Sequence, residues 1–195
     1  VALGANATLV AAVGSDMAAG TIRNMLEAIG ATPAGLVTVN RPTTTKTRVV
    51  ARAQQLLRVD EEVDHDLTGA EIDTLQQAVA TALATADALV LEDYNKGVLV
   101  PALITAAVAA ARARKIPVVV DPKYRNFFAY TGATVFKPNR RELEAALGAA
   151  VDVDHPASLP AVVERVGAEA LLLTLSERGM ALIERGAASG APVHR

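Results

Sequence analysis

The feature that most constrains the fold is a strand–helix–strand rhythm running from residue 88 to residue 136. Residues 88–91, 117–120 and 134–136 are short apolar runs without polar alternation, and residues 101–114 between the first two read as a helix. Pro101 stands at a favoured first-turn position of that helix. Non-alternating strands separated by helices predict a parallel sheet covered on both faces. Each run also ends in a polar cluster. The first opens into Glu92-Asp93-Tyr94-Asn95-Lys96-Gly97, the second into Asp121-Pro122-Lys123, and the third into Lys137-Pro138-Asn139 followed by Glu142. Ligands of open parallel sheets sit beyond the carboxyl ends of the strands. The three clusters therefore predict a floor that handles anions and a metal ion.

The remaining chain supplies flanking pieces. Residues 8–13 read as a buried strand, and Gly14-Ser15-Asp16 turns into a helix over 17–29. Met17, Ile22, Met25, Leu26 and Ile29 give that helix an apolar stripe, Ser15 and Asp16 are N-cap types, and Gly30 ends it. Three strand-like runs follow at 36–39, 43–51 and 54–59. The middle one carries Lys46, Arg48 and Arg52 at period two. That pattern suits either a solvated strand face or a lid whose cations meet a phosphorylated substrate. Thr68 and Glu71 read as a capping box for a helix reaching Leu83. Two helical segments, 139–147 and 158–166, precede a strand at 170–175. Ser176-Glu177-Arg178-Gly179 then turns into a last strand at 180–184, with residues 186–192 loop-like.

Composition narrows the chemistry. At 195 residues, half of them hydrophobic, the chain can bury a sizeable core, and aromatic residues are scarce enough that Ala, Val and Leu must fill it. A net charge of −2 argues against nucleic acid or an acidic membrane as partner. The absence of Cys excludes disulfides and thiolate sites. His65, His155 and His194 share no spacing that suits a metal site or a triad. Neither G-x-G-x-x-G nor G-x-x-x-x-G-K-[ST] occurs. Of five lysines, Lys46, Lys96, Lys123 and Lys137 fall in the polar clusters, and Lys115 does not. Lysine is a compact point charge suited to phosphate oxygens. Asn139 and Glu142 share one helical face, which suits a water-retaining Mg²⁺ or a simple helix cap.

The ordered segments VGSDMAAG (13–20), TTTKTR (43–48), LEDYNKGVL (91–99), VVDPK (119–123), KPNRRE (137–142) and TLSERGM (174–180) resemble the ribokinase-like (PfkB) sugar kinases. TKTRVVARAQQLLRVDEE, with DYNKG and DPK, is most similar to the branch acting on D-glycero-β-D-manno-heptose 7-phosphate. The resemblance implies a ribokinase-like three-layer α/β sandwich with a small β lid at about 36–60. It also implies ATP and Mg²⁺ as co-reactants, and phosphoryl transfer to the anomeric hydroxyl of heptose 7-phosphate. By motif, Lys137, Asn139, Glu142, Thr174, Ser176 and Gly179 would bind ATP, with Glu142 on the metal. Lys46, Arg48, Asp93, Lys96 and Lys123 would serve the sugar phosphate. Glu92 stands where relatives carry a small residue. The resemblance further implies an enzyme of lipopolysaccharide precursor synthesis. The lack of Cys agrees with a cytoplasmic location, and apolar Val49, Val50, Leu56 and Leu57 on the lid ribbon need cover on one face, which predicts a homodimer through the lid.

The family's N-terminal sugar-binding strand and its C-terminal Gly-Ala-Gly-Asp segment, which carries the general-base Asp, are not in the sequence. The expectation is a partial kinase domain, residues 1–195, inactive alone and without an assignable catalytic base. A different PfkB sugar kinase, or a non-catalytic nucleotide-binding and dimerisation module, is the alternative.

Overall fold

A computed structural model of the chain describes residues 1–52, 54–152 and 159–186. They fall into two compact units, one of residues 1–82 with 96–98 and one of the other described residues.

The first unit begins with a βαβ crossover: β1 (Thr8–Val13), α1 (Met17–Ala28) and β2 (Thr32–Thr38), with β1 and β2 parallel. Asp16 is the cap that α1 needs. Its Oδ1 accepts from Ala19 N at 2.9 Å, and its Oδ2 accepts from Thr43 N at 2.8 Å. These backbone donors, Thr43 first, hold the Asp16 carboxyl below its ordinary range. The expected five-residue stripe on α1 divides. Ile22 and Leu26 pack on Val13, Ala19 and Leu36, while Met17, Met25 and Ile29 stay exposed. Ile22 and Leu26 are four apart and stack on one face, whereas Met25 and Ile29 form a parallel row turned away from it.

A hairpin follows, β3 (Thr45–Ala51) against β4 (Gln54–Glu61), with a bulge after Val49. The ribbon is thus shorter than the stretch from 36 to 60 suggested, because Leu36, Val37 and Thr38 belong to β2 and pair with β1. Arg52 leaves the cationic row as well, sitting in the turn at φ 48°. Helix α2 (Ala70–Leu83) starts two residues beyond Thr68. Glu71 does not close a capping box there; its Oε1 accepts from Asn40 N at 3.1 Å.

The second unit is a five-stranded sheet in the order β5 (Leu89–Glu92), β6 (Val118–Asp121), β7 (Val135–Phe136), β8 (Ala170–Thr174), β9 (Met180–Glu184). The first four strands are parallel and β9 is antiparallel to β8. Helix α3 (Pro101–Ala113) buries Leu103, Ile104, Ala107, Val108 and Ala111, the i, i+3/i+4 face that its sequence offers. Helix α4 (Arg140–Leu147) and α5 (Leu159–Val166) link β7 to β8, and α5 buries Leu159, Val162, Val163 and Val166. Val118, Val120, Phe136, Leu171 and Leu173 are buried along β6 to β8. Phe127 packs edge-on against Phe136, with ring centroids 5.0 Å apart. Cover on both faces is incomplete at the two edge strands, where Val90 and Glu92 of β5 and Met180 and Glu184 of β9 remain exposed.

Gly97, in the first unit, sits at φ +67°, and a Cβ there would lie 1.9 Å from the His65 carbonyl oxygen. Backbone cannot yield as a side-chain tip does, and the φ is one that L-residues avoid. Gly97→Ala is therefore expected to destabilise the protein by at least about 2 kcal/mol. The midpoint of urea unfolding measures this, and an unchanged midpoint would refute the packing described.

Candidate functional site

Because β5 to β8 are parallel, their carboxyl ends share one edge of the sheet. That edge carries Asp93, Asp121 with Lys123, Lys137 with Asn139 and Glu142, and Thr174 with the turn to Gly179. Asn139 continues the β7–β8 pairing by bridging to Thr174, and Thr174 N donates to Pro138 O at 3.1 Å. All the residues assigned from sequence to the nucleotide thus come from two neighbouring strand ends and the turn beside them.

Asn139 is the N-cap of α4. Its side chain accepts from Glu142 N at 2.9 Å, and Glu142 Oε2 accepts from Asn139 N at 3.0 Å. The capping box that the sequence allowed is present. It does not exhaust Glu142, whose Oε1 also accepts from Lys123 Nζ. This hydrogen bond, followed by the charges of Glu142, Asp121 and Tyr94, raises the Lys123 pKa above its ordinary value. Beside it Lys137 Nζ donates to Asp121 Oδ2 at 2.7 Å. Two ammonium groups and two carboxylates therefore alternate along the edge. Past Thr174, Ser176–Arg178 forms one 3₁₀ turn, with Ser176 at φ 54° and Gly179 at φ 83°. Leu175 N donates to Gly179 O at 2.8 Å, closing the turn that the sequence predicts.

Asp93 lies deeper. It is 6% exposed, its Oδ1 accepts from Asn95 N at 2.7 Å, and its Oδ2 accepts from the Tyr130 hydroxyl at 2.9 Å. Burial first, then the Asp93 charge, pushes the Tyr130 pKa far up, so this hydroxyl stays a donor. Asp93 thus braces its own loop, whose Asn95 adopts φ 53°. Tyr130 was not evident as a partner, because nothing local distinguishes a tyrosine 37 residues away.

Lys46, Arg48 and Lys96 belong to the first unit. Lys46 Nζ donates to Asp60 Oδ2 at 3.0 Å and to Glu62 Oε2 at 2.7 Å, while Glu62 Oε1 accepts from Lys96 Nζ at 2.6 Å. Glu62 so ties the hairpin's lysine to that of the loop. The pairing raises the Lys46 pKa and lowers those of Glu62 and Asp60. Arg41 Nη1 donates to Lys96 O at 2.8 Å and steadies the same loop. Arg48 lies opposite Arg58 in the hairpin register, an unfavourable like-charge pair. Arg58 is compensated by Asp60 at 2.7 Å, and Arg48 has no ion-pair partner among the described residues. Glu62 and Asp60 escaped the sequence reading, although their two-residue spacing opposite Lys46 was the available signal.

Among the described residues no three His, Asp or Glu side chains gather into a metal cage. His155 and His194 lie outside the described residues. Carboxylate oxygens of Glu142 and Asp121 at the strand ends still suit a hard cation such as Mg²⁺, which keeps waters and takes few protein ligands. An apolar hollow of about 500 Å³ in the first unit, between α1 and the β1 end, has no charged side chain in its lining.

This architecture is that of a ribokinase-like α/β protein. Phosphofructokinase-2 from Escherichia coli in complex with fructose-6-phosphate matches 99% of the chain, covering 63% of that structure, at TM-score 0.68 and 18% identity. Arabidopsis thaliana ribokinase complexed with ribose and ATP matches 93% of the chain, covering 59% of that structure, at TM-score 0.66 and 16% identity. The pfkB family carbohydrate kinase model matches residues 1–193, and the chain belongs to that family of sugar kinases. The Bifunctional protein HldE of Pelobacter propionicus is 45% identical over the whole chain, and that of Azorhizobium caulinodans 45% identical over 93% of it. The chain spans about two fifths of the length of these relatives, 40% and 38%. Among the described residues no helix is long and apolar enough to cross a membrane.

Removing the Tyr130 hydroxyl leaves one oxygen of a buried carboxylate without its donor. Tyr130→Phe is expected to cost roughly 1–3 kcal/mol in urea unfolding. A neutral substitution would mean that Tyr130 serves only by packing.

Proposed function

We propose that the protein carrying this chain is an ATP-dependent kinase that phosphorylates the anomeric hydroxyl of heptose 7-phosphate. One observation carries the reading: four parallel strands bring Asp93, Lys123, Lys137, Asn139, Glu142 and Thr174 to a single sheet edge. Lys137, Asn139, Thr174, Ser176 and Gly179 hold the nucleotide, and Glu142 takes the metal. When bound, Mg²⁺ neutralises charge on the phosphate oxygens. Lys123 stands beside them, and Asp93 braces its own loop through Asn95 and Tyr130. Lys46, Arg48 and Lys96 take the phosphate that the acceptor sugar already bears. The heptose preference is supported by the motif resemblance and by the HldE relatives, and the sugar–ATP pairing by membership of the pfkB carbohydrate kinase family. Catalysis of this kind is mainly positioning and charge neutralisation, which the lysines and α4 supply. No residue of this chain is assigned as general base.

The acceptor reading has a direct kinetic check. Lys46→Ala in the intact protein is expected to raise KM for heptose 7-phosphate roughly tenfold or more, the loss of one charge-assisted contact. KM for ATP should stay within about twofold, since the nucleotide is assigned elsewhere. Turnover only with an unphosphorylated sugar would overturn the substrate assignment.

The reading includes a homodimer. Val49, Leu57 and Val59 line one face of the hairpin, each at least 41% exposed. An apolar ribbon face of this kind suits a partner. Leu57→Asp is expected to convert a dimer of the intact protein into monomer in light scattering. A wild-type monomer at assay concentration would count against it.

A further inference from the structure

The carboxylate assigned to the metal already holds a cation of the protein's own. Glu142 has two oxygens, and each is committed. Oε2 accepts from Asn139 N and is the reciprocal half of the α4 capping box, so it cannot turn away without uncapping the helix. Oε1 accepts from Lys123 Nζ. The neighbouring carboxylate, Asp121, is likewise engaged, by Lys137 Nζ at 2.7 Å. A divalent cation that takes Glu142 through Oε1 therefore competes there with the Lys123 ammonium group.

We infer that Lys123 is the internal counter-ion of Glu142 and couples metal binding to nucleotide binding by changing partners. This rests on the nucleotide reading above. With neither ligand present, Lys123 and Glu142 neutralise each other. The Glu142 side chain is 14% exposed and that of Lys123 36%, so the pair is held in a partly desolvated place where a lone charge is costly. The cation displaces Lys123 from Oε1. The freed ammonium is left beside the strand ends of β6 and β7, where a phosphate oxygen is its natural acceptor. A metal alone must pay for stranding Lys123, and a phosphate alone for stranding Glu142. Metal and phosphate together leave neither charge unpaired. The two ligands then favour each other by the same factor in either order of addition, as linkage requires. Asp121 and Lys137 keep their own pair throughout.

The test uses MnCl₂ as metal probe, followed by electron paramagnetic resonance of free Mn²⁺, with and without ATP, on the intact protein. Lys123→Met keeps the length of the side chain and removes its charge. It is expected to bind Mn²⁺ alone roughly tenfold more tightly than wild type, because the competing ammonium is gone. In the same variant, the tightening of Mn²⁺ binding that ATP produces in the wild type, corrected for Mn²⁺ chelated by ATP in solution, is expected to shrink severalfold, leaving the direct attraction between metal and phosphate. Lys123→Arg keeps the charge and should behave as wild type. Lys123→Met combined with Glu142→Gln should lose the gain, tying it to this carboxylate. Near-ultraviolet circular dichroism confirms the fold of each. Mn²⁺ affinity unchanged or weakened in Lys123→Met would overturn the inference. A wild-type protein that binds Mn²⁺ but no ATP would overturn the nucleotide reading, and the metal-only comparison would still decide whether Lys123 competes at Glu142.

Discussion

Everything proposed for this chain depends on parallel pairing of β5 to β8. A parallel ladder forces the strands to run the same way, so whatever follows each strand emerges on the same edge. The register is specified by burial: Val118 and Val120 of β6, Phe136 of β7, and Leu171 and Leu173 of β8 are all inside. Slipping one strand by a residue would exchange which side chains pack in each layer and displace the polar residue that follows it. The packing that stabilises the sheet and the placement of the candidate site are therefore one constraint.

Charge is the second theme. Lys46, Lys96, Lys123 and Lys137 each meet a carboxylate. Without such partners, half-buried ammonium groups at strand ends and on a hairpin would repel one another and lose hydration. The proposed anion site thus carries its own acids, and under the inference drawn for Lys123 a ligand acts by exchanging partners rather than by filling a vacant charge. Arg48 departs from this pattern and, with Arg58 opposite, leaves the hairpin face locally positive.

The relatives sharpen the class more than the mechanism. Family membership follows from a match over residues 1–193, and the two solved neighbours, at 18% and 16% identity, speak for the fold. The HldE relatives are much longer than this chain. The substrate reading therefore rests on motif likeness and on the cationic hairpin together.

Much was legible in the order of residues alone. The strand runs, the Asn139–Glu142 cap, the turn at Gly179 and the clustering of polar residues after each strand all follow from local rules, because periodicity, capping and turn chemistry act within a few positions. What local rules cannot supply is which distant group answers a charge. Tyr130 on Asp93, Glu62 between Lys46 and Lys96, and Lys123 on Glu142 join residues 37, 16, 34 and 19 positions apart. The assignment of 36–38 to β2 rather than to the ribbon was likewise a matter of partners, since a strand's propensity does not name its neighbour. Sequence determined the elements and the kinds of side chain at their ends. Tertiary structure alone decided which of those side chains neutralise one another, because Coulomb interaction and desolvation depend on distance through space and not along the chain.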